Sequence, residues 1–235
     1  TLVMKKSKIV PYVVTAGRET VAIRMPSNRI AHELIKAVGV PLAAPSANLS
    51  GRPSATAAGH VIEDFLEHVD MIIDGGETEV GLESTVIDVT GKTPMLLRPG
   101  KITPEELRKI TGISIHPSVR KTKSVSMAKS PGMKYKHYSP RAEVILVEGK
   151  KRLDRIGTIS RQFSEKGKNV AILATKKGDY EARLVIVLNN PKKFAHHLFA
   201  SFRDCDKKNI DTIIVEGISE KKLGLAIMNR LRKAA

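Results

Sequence analysis

Four stretches of this chain carry side chains able to bind or activate a reactant. The first is Ala43-Ala44-Pro45-Ser46-Ala47-Asn48-Leu49-Ser50-Gly51. Its small residues let a ligand approach the backbone, and Ser46, Asn48 and Ser50 offer hydroxyl and amide groups at alternate positions, along one side of an extended segment. Such groups suit a phosphate or a ribose. They equally suit an Asn/Ser turn ahead of the helix that starts near Thr56. The second stretch, Asp74-Gly75-Gly76 through Gly81-Leu82-Glu83-Ser84-Thr85, sets glycines and two hydroxyls around a strand-turn-strand pattern. Successive N–H groups there form either an anion nest or a plain Gly-rich hairpin. Third, Arg24 and Arg98 stand at strand ends, before Met25-Pro26 and Pro99-Gly100. Strand ends are where α/β sheets bind ligands, and a guanidinium clasps carboxylate or phosphate with two parallel hydrogen bonds; a structural ion pair is the alternative for each. The fourth is Ser130-Pro131-Gly132-Met133-Lys134-Tyr135-Lys136-His137-Tyr138-Ser139-Pro140-Arg141, dense in cations and aromatic hydroxyls. This chemistry suits closure over a nucleotide, or contact with RNA.

The elements that must position these groups follow from hydrophobic periodicity. Val21-Ala22-Ile23 is a predicted strand stopped by Pro26, and Ser27 is expected to open a helix with Ile30, Leu34, Ile35 and Val38 on its apolar face, ended by Gly39. Residues 41–45 form a short run expected to be buried. Residues 56–68 are expected to be helical with Val61, Ile62 and Phe65 inward. Strands are predicted over 71–73, 84–89 and 95–97, and Thr103-Pro104-Glu105-Glu106 is a strong helix start. From residue 114 to 141 the composition turns to Ser, Lys, Pro and Gly, marking a linker. Beyond it, β-branched runs at 143–147, 169–174, 184–188 and 212–215 alternate with the helical stripes Phe194, Leu198, Phe202, Cys205 and Leu223, Ile227, Met228, Leu231. That alternation predicts a small, mostly parallel, doubly wound sheet. The expected organisation is therefore an α/β unit over 1–113, a linker and active-site lid over 114–141, and a second α/β unit over 142–235.

Composition bounds the function classes. The chain has 235 residues, 41% hydrophobic, and a formal charge of +16 from 40 basic and 24 acidic side chains, a field that draws phosphorylated partners. Aromatic residues make up only 4%, a poor base for a base-stacking strand platform. The single cysteine, Cys205, excludes an intrachain disulfide and fits a core thiol. No run approaches a membrane span and residues 1–8 lack a signal-peptide layout, so a cytoplasmic location without a membrane is expected. There is no P-loop, no GxGxxG and no paired-carboxylate signature, and His60, His68, His116, His196 and His197 lack ligand spacing. The start at Thr1, with Leu2 to Met4 reading like a strand tail, suggests a fragment.

Taken in order, residues 43–56, Ile72-Ile73-Asp74-Gly75-Gly76, residues 81–85, Leu97-Arg98-Pro99-Gly100 and residues 131–140 resemble the successive signatures of the YrdC family of threonylcarbamoyl-adenylate synthases. Residues 142–235 resemble the extra domain of its longer, two-domain members. The resemblance implies a twisted open α/β sheet, incomplete here because the family's upstream Thr-rich turn and Lys-x-Arg element fall before Thr1. A small Rossmann-like parallel domain then follows the linker. It implies condensation of L-threonine, bicarbonate or CO2 and ATP to threonylcarbamoyl-AMP and pyrophosphate, for modification of tRNA at position 37. It further implies that Arg24, Ala44 and Ser84 hold L-threonine, and that Thr20, Ser46, Asn48, Ser54, Arg98, His137 and Tyr138 hold ATP. The residues position and neutralise charge; no catalytic nucleophile and no protein metal site are implied, and Mg2+ arrives with ATP. The product is expected to pass to a tRNA threonylcarbamoyl-transfer complex.

Two other classes compete. A double-stranded RNA or tRNA-binding module without synthase activity would use the net charge and the cations of residues 134–141. A carbamoyl-transfer domain of the hydrogenase-maturation type shares the first pattern, but the second unit of the long synthase type argues against it.

Overall fold

The computed structural model of the chain describes residues 1–120 and 138–235. In the first half, strands β1 Leu2–Lys5, β2 Thr20–Ile23, β3 Val86–Asp88, β4 Met95–Arg98 and β5 Ser114–Ile115 form one mixed sheet in the order β2-β1-β3-β4-β5. β1 pairs antiparallel with β2 and parallel with β3; β4 pairs antiparallel with β3 and parallel with β5. Helices α1 Arg29–Val38, α2 Ala58–Phe65 and the short α3 Pro104–Leu107 belong to this half.

Asn28, rather than Ser27, caps α1, its side chain accepting from the Ala31 N–H at 3.0 Å. Gly39 ends the helix in the left-handed conformation that favours glycine (φ 74°). The expected stripe Ile30, Leu34 and Val38 is present, yet each of these side chains is 42–45% exposed. Residues 41–45 are likewise exposed rather than buried, and 71–73 form no strand. Both runs are apolar, but neither meets a partner strand among the described residues, and apolarity alone does not make a ladder. α2 turns its polar side inward: His60 and Asp64 are buried, Ile62 is exposed. The reason lies in the second half, described below. α3 has the expected start in full, with a capping box in which Thr103 and Glu106 exchange hydrogen bonds. The linker begins later than expected, since Ser114–Ile115 pair with β4 and Val119 is buried against Leu96 and Leu107.

The second half follows its sequence pattern closely. Strands β6 Glu143–Val147, β7 Val170–Ala174, β8 Leu184–Val187 and β9 Thr212–Glu216 form an all-parallel sheet in the order β6-β9-β7-β8. Helix α4 Arg152–Glu165 covers one face, where Ile156 meets Val170, Ile172 and Ile214. Helices α5 Pro191–Lys207 and α6 Gly224–Ala234 cover the other, where Phe194, Leu198, Phe202 and Cys205 meet Ala171, Leu173, Ile213 and Val215. Burial on both faces explains the uninterrupted β-branched runs. The buried thiol of Cys205 is pushed up to about 12 by desolvation, consistent with a core role.

α5 and α6 also join the two halves. Leu225 of α6 packs with Leu96, Leu107 and Val119 of the first half, and the Asn229 side chain donates to the Val119 carbonyl at 2.8 Å. Arg203 of α5, almost fully buried, donates to both Asp64 carboxylate oxygens (3.2 and 2.7 Å) and to the Pro53 carbonyl (2.7 Å). This is why α2 buries its acid. Burial alone would raise the Asp64 carboxyl, but the hydrogen bonds from Arg203 and the Leu49 N–H, with the charges of Arg203 and Arg52, bring it below its ordinary value.

Candidate active site

β4 ends at Arg98, and the chain then turns through Pro99-Gly100 so closely over residues 83–85 that a Cβ on Gly100 would strike the Thr85 nitrogen and the Glu83 carbonyl. Only glycine permits that approach. It brings the Arg98 guanidinium onto Ser84, donating through Nε to the Ser84 carbonyl at 3.0 Å and through Nη2 to the Ser84 hydroxyl at 3.2 Å. The Ser84 hydroxyl also shares a hydrogen bond of 2.7 Å with the Thr1 hydroxyl, and the Thr1 nitrogen donates to the Thr85 carbonyl. The charges of Arg24 and Arg98 both act on that nitrogen, so Arg24 at the end of β2 faces the same corner.

Glu83 is the carboxylate of the site. Its Oε1 accepts from the Ser54 hydroxyl at 2.5 Å and its Oε2 from Arg230 Nε of α6 at 2.7 Å. Desolvation would raise the carboxyl, but Arg230, Arg98 and the two hydrogen bonds hold it below its ordinary value, so it is ionised at neutral pH. Tyr138 closes the same corner. Its ring stacks on Phe199 at 5.3 Å, lies 5.6 Å from the Arg230 guanidinium carbon, and its hydroxyl is hydrogen-bonded to Arg98. The residue sits at φ 66°, a conformation disfavoured for a side-chain-bearing residue and held here by that packing. Burial raises the Tyr138 phenol against the opposing pull of Arg230 and Arg98. Lys233, one turn beyond Arg230, feels Arg230, Arg98 and Glu83 together; burial foremost, then the two arginines, lowers its ammonium to about 8.

Of the residues expected to bind ligands, Ser54, Ser84, Arg98 and Tyr138 converge here, with Arg24 at the edge. Thr20 opens β2, while Ala44 and Ser46 lie in the exposed segment before the 48–52 turn. Ser46 lines an open, largely apolar groove of about 540 Å³ bounded by α2 and residues 71–78. Asn48 spends its amide nitrogen on the carbonyls of Leu49 (2.8 Å) and Arg52 (3.1 Å), so it builds the turn that presents Ser54; its Oδ1 is buried without a partner among the described residues. His137 lies outside the described residues. The glycines of 75–81 make no hairpin: Asp74 accepts from the Gly76 N–H, and Gly81 packs its backbone on the Ala195 and His196 carbonyls of α5. Glu83, Arg230 and Lys233 were not singled out by sequence. Arg230 and Lys233 stand in a basic run, Arg230-Leu231-Arg232-Lys233, that reads as a solvated helix face. The buried Glu83 carboxylate thus shares one corner with Arg98, Arg230 and Lys233, a locally positive balance of charge. No group of three or more His, Cys, Asp or Glu among the described residues converges to hold a metal. No helix among them is long and apolar enough to cross a membrane.

Comparison with known proteins matches both halves. Residues 102–235 match the family described as threonylcarbamoyl-AMP synthase, C-terminal domain, and residues 1–100 match the Sua5/YciO/YrdC family, described as telomere recombination. A threonylcarbamoyl-AMP synthase of Pyrococcus abyssi is 51% identical over 100% of this chain and 69% of its own length. Counterparts of the same name from Bacillus subtilis and Schizosaccharomyces pombe are 43% and 40% identical over 94% and 95% of this chain. The chain spans 65% and 59% of the lengths of these last two. The crystal structure of P. abyssi Sua5 complexed with L-threonine superposes with a TM-score of 0.93 at 51% identity, covering 99% of this chain and 69% of that one.

Proposed function

This chain belongs to the threonylcarbamoyl-AMP synthase family, and from that premise we propose that it forms most of an enzyme joining L-threonine, bicarbonate or CO2 and ATP into threonylcarbamoyl-AMP and pyrophosphate. The threonine amine captures CO2 as a carbamate and releases a proton; with bicarbonate the same amine gives the carbamate and a water instead. A carbamate oxygen then bonds to the α-phosphorus while the bond from that phosphorus to the β-bridging oxygen breaks, and pyrophosphate leaves with the electron pair. Nothing in this sequence needs a protein nucleophile. It needs two anions held side by side, water excluded, and negative charge on the phosphoryl oxygens neutralised.

The observation that carries this reading is the corner where Ser84, Arg98, Ser54 and Tyr138 converge around Glu83. Arg24, Ser84 and the backbone at Ala44 take the threonine; Arg98, Ser54 and Ser46 take the nucleotide, with Thr20, Asn48 and His137 nearby and Tyr138 as the closing ring. A divalent ion such as Mg2+ would be held through phosphate oxygens, since the described side chains supply no cage for it. The product, a mixed anhydride, suits immediate hand-over to an enzyme that transfers the threonylcarbamoyl group to tRNA, and a cytoplasmic location fits that hand-over. The RNA-binding alternative is not favoured, because the family membership covers both halves of the chain.

Pyrophosphate release by the full-length protein should require both threonine and bicarbonate. Turnover that ignores threonine overturns the reading. Tyr138→Ala should raise ATP hydrolysis relative to product formation, because an opened corner admits water.

A further inference from the structure

We propose that Arg230 and Lys233, both contributed by α6 of the second half, form with Arg98 the polyphosphate-binding wall of the site, so that the nucleotide bridges the two halves of the molecule. This rests on the ATP reading above and extends it to residues outside the first half.

Arg230 is fully buried, which for a guanidinium demands partners for its fork of donors. Nε is taken by Glu83 and Nη1 by the Asn229 side-chain oxygen at 2.9 Å. Nη2 is buried without any hydrogen-bond partner among the described residues. A buried cationic donor left open in this way marks the place of a missing acceptor. Lys233, half-buried one turn further along α6, has no side-chain hydrogen bond or ion pair among the described residues, and the nearby Glu83 is already bonded to Arg230 and Ser54. Three cations thus face one carboxylate, and the ligand that balances them carries at least two negative charges.

Position selects the class of ligand. The threonine side of the corner is the Ser84 hydroxyl and Arg24, whereas Arg230 and Lys233 lie beyond Glu83, on the Ser54 and Tyr138 side. That enclosed location excludes a nucleic-acid duplex and fits a compact chain of phosphates. α6 is held so that these side chains point inward: Arg232, between them, is drawn the other way by Glu148 (2.9 and 2.8 Å) and Glu220 (2.6 Å). The Ser139 hydroxyl also bonds the Ala234 carbonyl at 3.2 Å, tying the last turn of α6 to the residue after Tyr138.

The test uses the full-length protein, with calorimetric titration of ATP, inorganic pyrophosphate and L-threonine into wild type, Lys233→Met and Arg230→Lys. Lys233 forms no ion pair among the described residues, and lysine at 230 keeps a charge opposite Glu83, so both variants should remain folded. Loss of a charge-assisted contact should weaken ATP and pyrophosphate about 10- to 100-fold, with threonine affinity changed less than about threefold. Unchanged ATP and pyrophosphate affinities in both variants overturn the proposal, and so does a parallel loss of threonine binding, which would mark a structural role. The synthase reading is judged separately, by threonine-dependent pyrophosphate release in the wild type, so either can fail while the other stands.

Discussion

Helices α1 and α5 carry the same kind of apolar stripe and meet opposite fates. In α5, Phe194, Leu198 and Phe202 are completely buried, whereas in α1, Ile30, Leu34 and Val38 keep 42–45% of their surface. The site divides along the same line. Side chains braced by the second half, Ser54 through Glu83, Arg98 through Tyr138, are fixed by hydrogen bonds, while Ala44 and Ser46 of the first half stay exposed. An amphipathic pattern states that a face wants a partner. Whether the partner is there depends on contacts that the pattern does not contain.

The comparison can be broken at the contact between halves. Asp64→Ala would leave the buried Arg203 guanidinium with backbone carbonyls and the more distant Glu63 carboxylate at 3.9 Å, and should cost about 3–5 kcal/mol in a denaturant titration. A cost below about 1 kcal/mol would mean that the two halves stand without each other. Next in size is a matched pair: Leu198→Ala should cost about 2–5 kcal/mol, and Leu34→Ala less than about 1 kcal/mol in this chain. Equal costs would show that α1 is covered in solution.

A third test concerns Lys233, faced by Arg230 on its own helix, Arg98 from β4 and Glu83 ahead of β3. Its ammonium is lowered to about 8 from 10.5, so between these values the unfolded chain binds the additional proton. Stability of the ligand-free protein therefore rises as pH climbs from about 8 toward 10.5, by up to about 3 kcal/mol. Lys233→Met should remove that rise and melt higher than wild type at pH 7. The smallest effect sharpens the first half alone: Thr103→Ala, which removes the capping box of α3, should cost about 1 kcal/mol, read as a small fall in melting temperature.

The second sheet was legible because strands buried on both faces write themselves as continuous β-branched runs, such as Val170-Ala171-Ile172-Leu173-Ala174. Met71-Ile72-Ile73 looks similar and forms no strand, because pairing is a property of the neighbour. Ser84 and Arg98 were legible as a hydroxyl and a guanidinium at strand ends beside glycines. Arg230 and Lys233 were not, since nothing local separates an inward cation from the outward Arg232 between them. Their partner, Glu83, lies 147 residues away from Arg230 along the chain.

Leu225 belongs to α6 yet sits among Leu96, Leu107 and Val119. Parting the halves would pull it into water, a penalty of roughly 2 kcal/mol for that side chain alone, before Arg203 and Arg230 are counted. The contact between the halves is thus part of what holds the corner around Glu83 and Arg230 together.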